Sequence, residues 1–267
     1  MSYLGRSIKR FEVARLVIGD SVFIDDIKLP EMLHAAVVRS VHAHARIRSI
    51  NVVDAIELDG VVEVLTGADL AGKLPDLPIR PMGDRSVDEF NPPEHPVLAQ
   101  DKVCYVGQPV AVVVAKNPYL ARDGAELVTV DYEPLIPVVN PVDAANEDVP
   151  VIHPHLGTNV AMRSVQECGD IEKAFAQAAH IVRQRYEIPR LAPSSMETRG
   201  VIGNYDVSSD LLTVWDSTQA PNQITRYLAQ MLGRPEESIR VVAPDAGGSF
   251  GIQACLFSDA VLMPFLA

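Results

Sequence analysis

The stretch KVCYVGQPVAVVVA at 102–115 is apolar almost throughout. A strand with one solvated face alternates apolar and polar residues, so an unbroken valine and alanine run reads as a strand covered on both faces. Such a strand requires packed layers on either side of it. Directly after it, Asn117 can cap a helix whose first position is Pro118, where the missing proline N–H costs nothing. The pattern returns to strand near Val128–Tyr132. LHAAVVR at 33–39 and VVEVLT at 61–66 add two short β-branched strands. Strands that feed a helix and return to strand predict an α+β (mixed α/β) first domain.

KLPDLPIRPMGDRSVDEFNPPEHP at 73–96 is rich in proline and charge and reads as a long surface excursion. EPLIPVVNPVDAANEDVPVIHPHLGTN at 133–159 has little periodicity and reads as a connector, with a domain boundary near 145–160. In GDIEKAFAQAAHIV, Asp170 is an N-cap and Ile171, Ala174, Phe175 and Ala178 share one helical face. HIVRQRYEIP (180–189) and LLTVWDST (211–218) read as strands. NQITRYLAQMLGRP (222–235) reads as a helix with Ile224, Tyr227, Leu228 and Met231 inward, ended by Gly233 and Pro235. SIRVVAP (238–244) is a further strand. The apolar segment at 257–267 reads as a helix with an exposed apolar face, a feature that marks an interface.

The chain has 267 residues, 48% of them hydrophobic, and a formal net charge of −12. That charge argues against nucleic acid or an anionic membrane surface as partner. No apolar run reaches the ~18–20 residues of a membrane span, and the first residues lack the apolar core of a secretory leader. Cys104, Cys168 and Cys255 are scattered, which argues against a disulfide framework and against an iron–sulfur cluster held by this chain alone. The reading is a cytoplasmic chain.

Four stretches are candidates for chemistry. GGSFG (247–251) follows a strand, and its glycines let backbone N–H groups face a ligand or merely turn the chain. Its spacing fits neither a dinucleotide fingerprint nor a P-loop. DSTQAPNQ (216–223) puts an amide side chain at a strand's C-terminal edge, a usual place for ligand contacts. The alternative is helix capping by Ser217, Thr218 or Asn222. His42 and His44 form a pair without a nearby third ligand, more simply hydrogen-bonded to backbone. In SSMETRG (194–200), Ser194 and Ser195 lie outside any nucleophile elbow, and Glu197 with Arg199 reads as a local ion pair or a domain-interface contact.

Taken together, IGDSVFIDDIKLPEMLHAAVVRSVHAHARI, VVEVLTGADL, YVGQPVAVVVA, ARDGAELVTVDYEPL, GDIEKAF, METRG, VWDSTQ and VVAPDAGGSFG resemble one family. It is that of the molybdenum-cofactor subunit of xanthine dehydrogenase, aldehyde oxidase and aerobic carbon monoxide dehydrogenase. The resemblance implies an α/β-hammerhead domain over 1–145 and the N-terminal part of a molybdopterin-binding region over 146–267. It implies that Gln219 hydrogen-bonds an oxygen ligand of molybdenum, and that the turn of Gly248, Phe250 and Gly251 presses its backbone against the metal end of the cofactor. No residue of this chain ligates the metal directly. Where such relatives carry a lysine or a substrate-binding acid, this sequence has Gln253 and Ala254, which argues against a purine held by an acid there.

The implied activity is oxidation of an aldehyde, an N-heterocycle or carbon monoxide with oxygen derived from water. The implied cofactor is molybdopterin, bare or as its cytosine dinucleotide, with iron–sulfur clusters and FAD on partner subunits. The family's catalytic glutamate lies beyond the stretch matched here, so no catalytic residue is expected within this chain. It would come from a second molybdopterin-binding chain or a C-terminal half. The competing expectation is a non-catalytic assembly module, or a truncated fragment, that keeps the fold.

Overall fold

A computed structural model describes residues 3–79 and 89–267. The first part contains α1 (Val13–Val17), β1 (His34–Arg39), β2 (Ala45–Asn51), α2 (Val53–Glu57), β3 (Val61–Thr66), α3 (Gly67–Leu70), β4 (Glu89–Phe90), β5 (Lys102–Val103), β6 (Pro109–Ala115), α4 (Pro118–Leu127), β7 (Thr129–Pro134) and α5 (Pro141–Ala144). The second contains β8 (Met162–Arg163), α6 (Ile171–Gln177), β9 (Val201–Asp206), β10 (Leu211–Asp216), α7 (Pro221–Leu232), β11 (Ile239–Val242) and α8 (Ser258–Leu266). The mixed helix-and-sheet class expected from the sequence is the class observed.

The apolar run at 102–115 is not one strand. It divides into β5 and β6, which lie in different sheets, with Gly107 at φ 87° in the turn between them. The Cys104 N–H donates to Gln108 Oε1 at 2.7 Å and closes that turn. Every residue of β6 is buried, and the pleat explains why. Ala111 and Val113 point into a core with Ala55, Val64 and Val128, while Val112 points the opposite way, into a core shared with the second part of the chain. β6 is the middle of an antiparallel sheet in the order β1-β6-β3.

Helix α4 covers one face of this sheet. Asn117 Oδ1 accepts from the N–H groups of Tyr119 and Leu120 at 3.0 and 2.9 Å, as its position before Pro118 predicts. Gly124 brings the helix close, because a Cβ there would lie 2.9 Å from Val113 Cγ1. Gly67 marks a tighter approach, where a Cβ would sit 2.2 Å from the Ala99 carbonyl oxygen. Backbone cannot give way like a flexible side chain. Gly67→Ala is therefore expected to destabilise by about 1–3 kcal/mol through overpacking, read as a lowered midpoint in urea unfolding.

The proline-rich excursion at 73–96 is not wholly a surface feature. Leu77 is buried, and its N–H donates to the His95 carbonyl at 2.8 Å; residues 80–88 of that stretch lie outside those described. β4 pairs with β8 across the connector.

In the second part β10 is central, antiparallel to β9 and parallel to β11, with α7 as the crossover. Ile224, Leu228 and Met231 are buried, and Gly233 ends α7 at φ 63°. One core takes Leu98 and Val112 from the first part and Val214, Leu228, Val261 and Leu262 from the second.

Two expectations are corrected. α8 does not expose its apolar face, because Val261 and Leu262 are fully buried against the β9–β10 sheet and α7. Residues 180–189 form no strand. Ile181, Val182, Tyr186 and Ile188 are exposed, and a strand forms only where a neighbour takes up its N–H and C=O groups. α6 is present, capped by Asp170 Oδ1 accepting from Lys173 N–H at 2.9 Å, yet Ile171 and Phe175 stand more than half exposed.

Candidate functional site

Parallel pairing of β10 and β11 places their C-terminal ends side by side, in register from Leu212 with Ile239 to Trp215 with Val242. The loops at 217–220 and 243–253 therefore leave the sheet from the same end, where open α/β sheets present loops to ligands. This topology brings Gln219 to the glycine turn across the length of α7. Gln219 Oε1 accepts a hydrogen bond from the Gly251 N–H at 3.0 Å. With its oxygen facing that donor, the amide nitrogen of Gln219 is left as a donor on an exposed side chain.

Thr218 is buried and its hydroxyl donates to the Gln253 carbonyl at 2.8 Å, which the Gln219 N–H also approaches at 3.3 Å. The same hydroxyl accepts from Ala220 N–H at 3.1 Å. Ser217 exchanges hydrogen bonds with the backbone of Gly200. Neither Ser217 nor Thr218 caps α7, which begins with Pro221 and has no side-chain cap.

The turn requires its glycines. Gly248 has φ 112° and Gly251 φ 94°, both in the left-handed region that side chains disfavour. Between them Phe250 adopts φ 46° and leaves its ring 72% exposed. A non-glycine residue held there is a strained position, of the kind that collects at binding sites. No atom lies within 4 Å of where a Gly251 Cβ would be, so that face of the turn is open. At Gly247 a Cβ would fall 2.5 Å from Glu197 Cβ.

Three segments hold the turn. Glu197 accepts from Gly247 N–H at 2.7 Å through Oε2 and from Ile24 N–H at 3.3 Å through Oε1. It makes the domain-interface contact, and no ion pair forms between Glu197 and Arg199. Asp245 accepts from Val22 N–H at 3.0 Å and from the Arg15 guanidinium, Nη2 to Oδ1 at 2.6 Å. The Arg15 hydrogen bond first, and Val22 second, hold the Asp245 carboxyl down to about 2. Arg199 pairs with Asp259 and lies over the Phe257 ring at 3.7 Å.

Asp216, the last residue of β10, is buried and its carboxyl is pushed up to about 7. Burial is the main cause; Asp259 adds to the rise and Arg199 opposes it.

Sequence reasoning missed Asp245, Arg15 and Asp216. The acid just before the glycine pair was a usable signal for Asp245, but its partner lies 230 positions away. His44 takes the simpler role, with Nδ1 2.8 Å from the Ile136 carbonyl, and His42 packs edge-on against Tyr132.

The residues around the turn suit a large polar group. The glycines give close backbone approach, Gln219 offers an amide donor on an exposed side chain, and among the described residues Gln253 Oε1 and Ser195 Oγ are buried polar atoms without a partner. Orphaned buried polar atoms are rare in folded proteins and call for an explanation such as a bound group or water. The turn presents one open wall at Gly251. A cavity of about 610 Å³ lies elsewhere, lined by β1, β9, Arg199 and Asp259.

Residues 18–136 match the aldehyde oxidase and xanthine dehydrogenase a/b hammerhead domain, and residues 152–267 match the molybdopterin cofactor-binding domain. The gamma subunit of the 6-hydroxypseudooxynicotine dehydrogenase complex of Paenarthrobacter nicotinovorans is 37% identical over 100% of this chain and 33% of its own length. The carbon monoxide dehydrogenase large chain of Afipia carboxidovorans is 37% identical over 97% of this chain and 32% of its own. The crystal structure of quinoline 2-oxidoreductase from Pseudomonas putida 86 superposes with a TM-score of 0.90 at 37% identity, covering 98% of this chain and 33% of that one. The chain thus spans about a third of the length of these relatives. With the two domains in this order on a closely similar backbone, the chain belongs to the xanthine dehydrogenase and aldehyde oxidase family of molybdopterin-binding proteins.

Proposed function

We propose that this chain forms one wall of a molybdenum-cofactor site in a multi-subunit hydroxylase that oxidises an N-heterocycle, an aldehyde or carbon monoxide. The observation that carries this reading is the Gln219 amide seated on the Gly251 N–H at the mouth of an open glycine turn. When bound, the cofactor supplies the redox chemistry that transfers water-derived oxygen to substrate. The protein's part is orientation and electrostatics.

In this reading Gln219 uses its amide nitrogen to orient an oxygen atom of the cofactor, while its amide oxygen keeps the turn in place. Gly248 and Gly251 allow backbone approach, and the exposed Phe250 ring would lie against the bound group and exclude water. Glu197, Asp245 and Arg15 fix the turn from behind. The division at 145/146 follows the same reading, with the first part buttressing the second through Ile24, Val22 and the shared core. The pterin is taken up bare or as its cytosine dinucleotide, which mass spectrometry of the released cofactor separates.

The catalytic base is proposed to come from a second molybdopterin-binding chain or a C-terminal half. The exposed side chains of Phe175, Val182, Tyr186 and Ile188 are apolar surface that a further polypeptide would cover. An iron–sulfur subunit and an FAD subunit would complete the complex and take up the electrons. No helix among the described residues is long and apolar enough to cross a membrane, and three free cysteines favour the cytoplasm.

Molybdenum content by mass spectrometry, on this chain alone and after co-expression with its genomic neighbours, tests the proposal. Metal confined to the co-purified complex is the expected result. Metal in neither sample favours a non-catalytic assembly module.

A further inference from the structure

From Ala161 to Ser194 every residue is exposed, a run in which α6 forms without burying a side chain. The composition is not that of a chain that stays unfolded. Phe175, Ile181, Val182, Tyr186, Ile188 and Leu191 all lie open to solvent, and acidic and basic residues nearly balance along the segment. Segments that remain disordered are poor in such side chains and carry a high net charge. Apolar surface of this extent on one segment marks a contact with another body.

Within it, 180–189 has the pattern of a strand without its partner. Val182, Gln184, Tyr186 and Ile188 fall on one side of an extended chain, and Ile181, Arg183, Arg185 and Glu187 on the other. Arg185 Nη2 and Glu187 Oε1 pair at 2.9 Å, as side chains two positions apart on one side can. Among the described residues, the backbone N–H and C=O groups of 180–189 find no backbone partner. Pro189 and Pro193 close the stretch, since neither can donate to a ladder. Both ends of the exposed segment are fixed. At one end β8 pairs with β4. At the other, a Cβ on Gly248 would lie 3.2 Å from Ser195 Oγ, and Glu197 accepts from the Gly247 N–H. The unpaired stretch thus runs directly into the residues that hold the glycine turn.

We propose that 180–189 is a docking strand, which pairs through its backbone with the edge of a β-sheet in the remaining part of the cofactor subunit and becomes a strand only there. The chain spans about a third of the length of the relatives described above, so polypeptide of the right kind to lie against it is the rest of such a subunit. The alternation sets what that sheet offers. Its apolar face continues that of Val182, Tyr186 and Ile188, and its other face leaves Arg183, Arg185 and Glu187 to water. A strand added in this way draws affinity from main-chain hydrogen bonds and specificity from pockets for alternate side chains. Through Ser195 and Glu197, the docked strand joins the sheet that receives it to the glycine turn. The choice of partner rests on the cofactor-site reading above, whereas strand formation needs no metal.

Hydrogen exchange on the assembled complex tests the docking strand. Amides of the 180–189 peptide are expected to exchange on the order of 100-fold more slowly than in an unstructured chain. Exchange at the unstructured rate overturns the proposal. Arg185→Pro deletes one N–H and forbids regular pairing, so it should return the peptide to fast exchange, while Arg185→Ala should keep it protected. Arg185 is exposed and belongs to no core cluster, so neither change reaches the folded body of the chain. Protection that survives the proline, or that is lost equally in both variants, overturns a backbone ladder. Replacing Tyr186 with the photo-reactive p-benzoylphenylalanine identifies the neighbour. The expected adduct joins it to the remaining part of the cofactor subunit, and an adduct to a second copy of this chain or to another subunit overturns the choice of partner. Molybdenum content of the same samples keeps the two readings apart. A protected 180–189 in a metal-free complex sinks only the cofactor reading, and an unprotected one in a metal-loaded complex sinks only the docking strand.

Discussion

Gln219→Ala in the assembled complex is expected to lower molybdenum occupancy or turnover by ~10–100-fold, the usual range for losing a residue that orients a cofactor's own ligands. Two functions of one amide are removed together. The carbonyl oxygen that accepts the Gly251 N–H disappears, and so does the amide donor of an exposed side chain. Gln219→Glu separates them, because a carboxylate still accepts from Gly251 but donates nothing when ionised. A glutamate variant as impaired as the alanine variant assigns the effect to the donor. A glutamate variant with near-normal metal and turnover assigns it to the turn. Full activity in the alanine variant removes Gln219 from the site altogether.

Leu262→Ala is expected to cost about 2–5 kcal/mol, the range for deleting a fully buried leucine. Leu262 is fully buried, in the core that also holds Val112 of β6 and Leu228 of α7. The neighbours are fixed by two sheets and a helix, so the cavity has little chance to collapse. A lowered urea midpoint with an unchanged slope is the expected signature. A reduced slope would instead mean that the first part unfolds separately from the second, against a common core. A loss below about 1 kcal/mol would place α8 outside the cooperative unit.

These two residues were not equally legible. Gln219 and the glycine turn were singled out by the resemblance of VWDSTQ and VVAPDAGGSFG to the family, since their residue types alone left helix capping and a plain turn as alternatives. Leu262 sits in a segment whose apolar character was plain, but whether that face is covered depends on what packs on it. The sequence suggested an uncovered face; the β9–β10 sheet and α7 cover it. The reverse holds at 180–189, whose alternation suits a strand while the described chain supplies it no partner.

Local chemistry in the sequence determined the caps at Asn117 and Asp170, the ends of α7, the two-sided burial of β6 and the glycine turn, because each depends on near neighbours. Tertiary structure alone decided the Arg15–Asp245 tie, the Glu197 bridge between Gly247 and Ile24, and the burial of Asp216 at the end of β10. Those contacts join residues from distant parts of the chain. Their strength comes from geometry and exclusion of water, which no pattern along the sequence records.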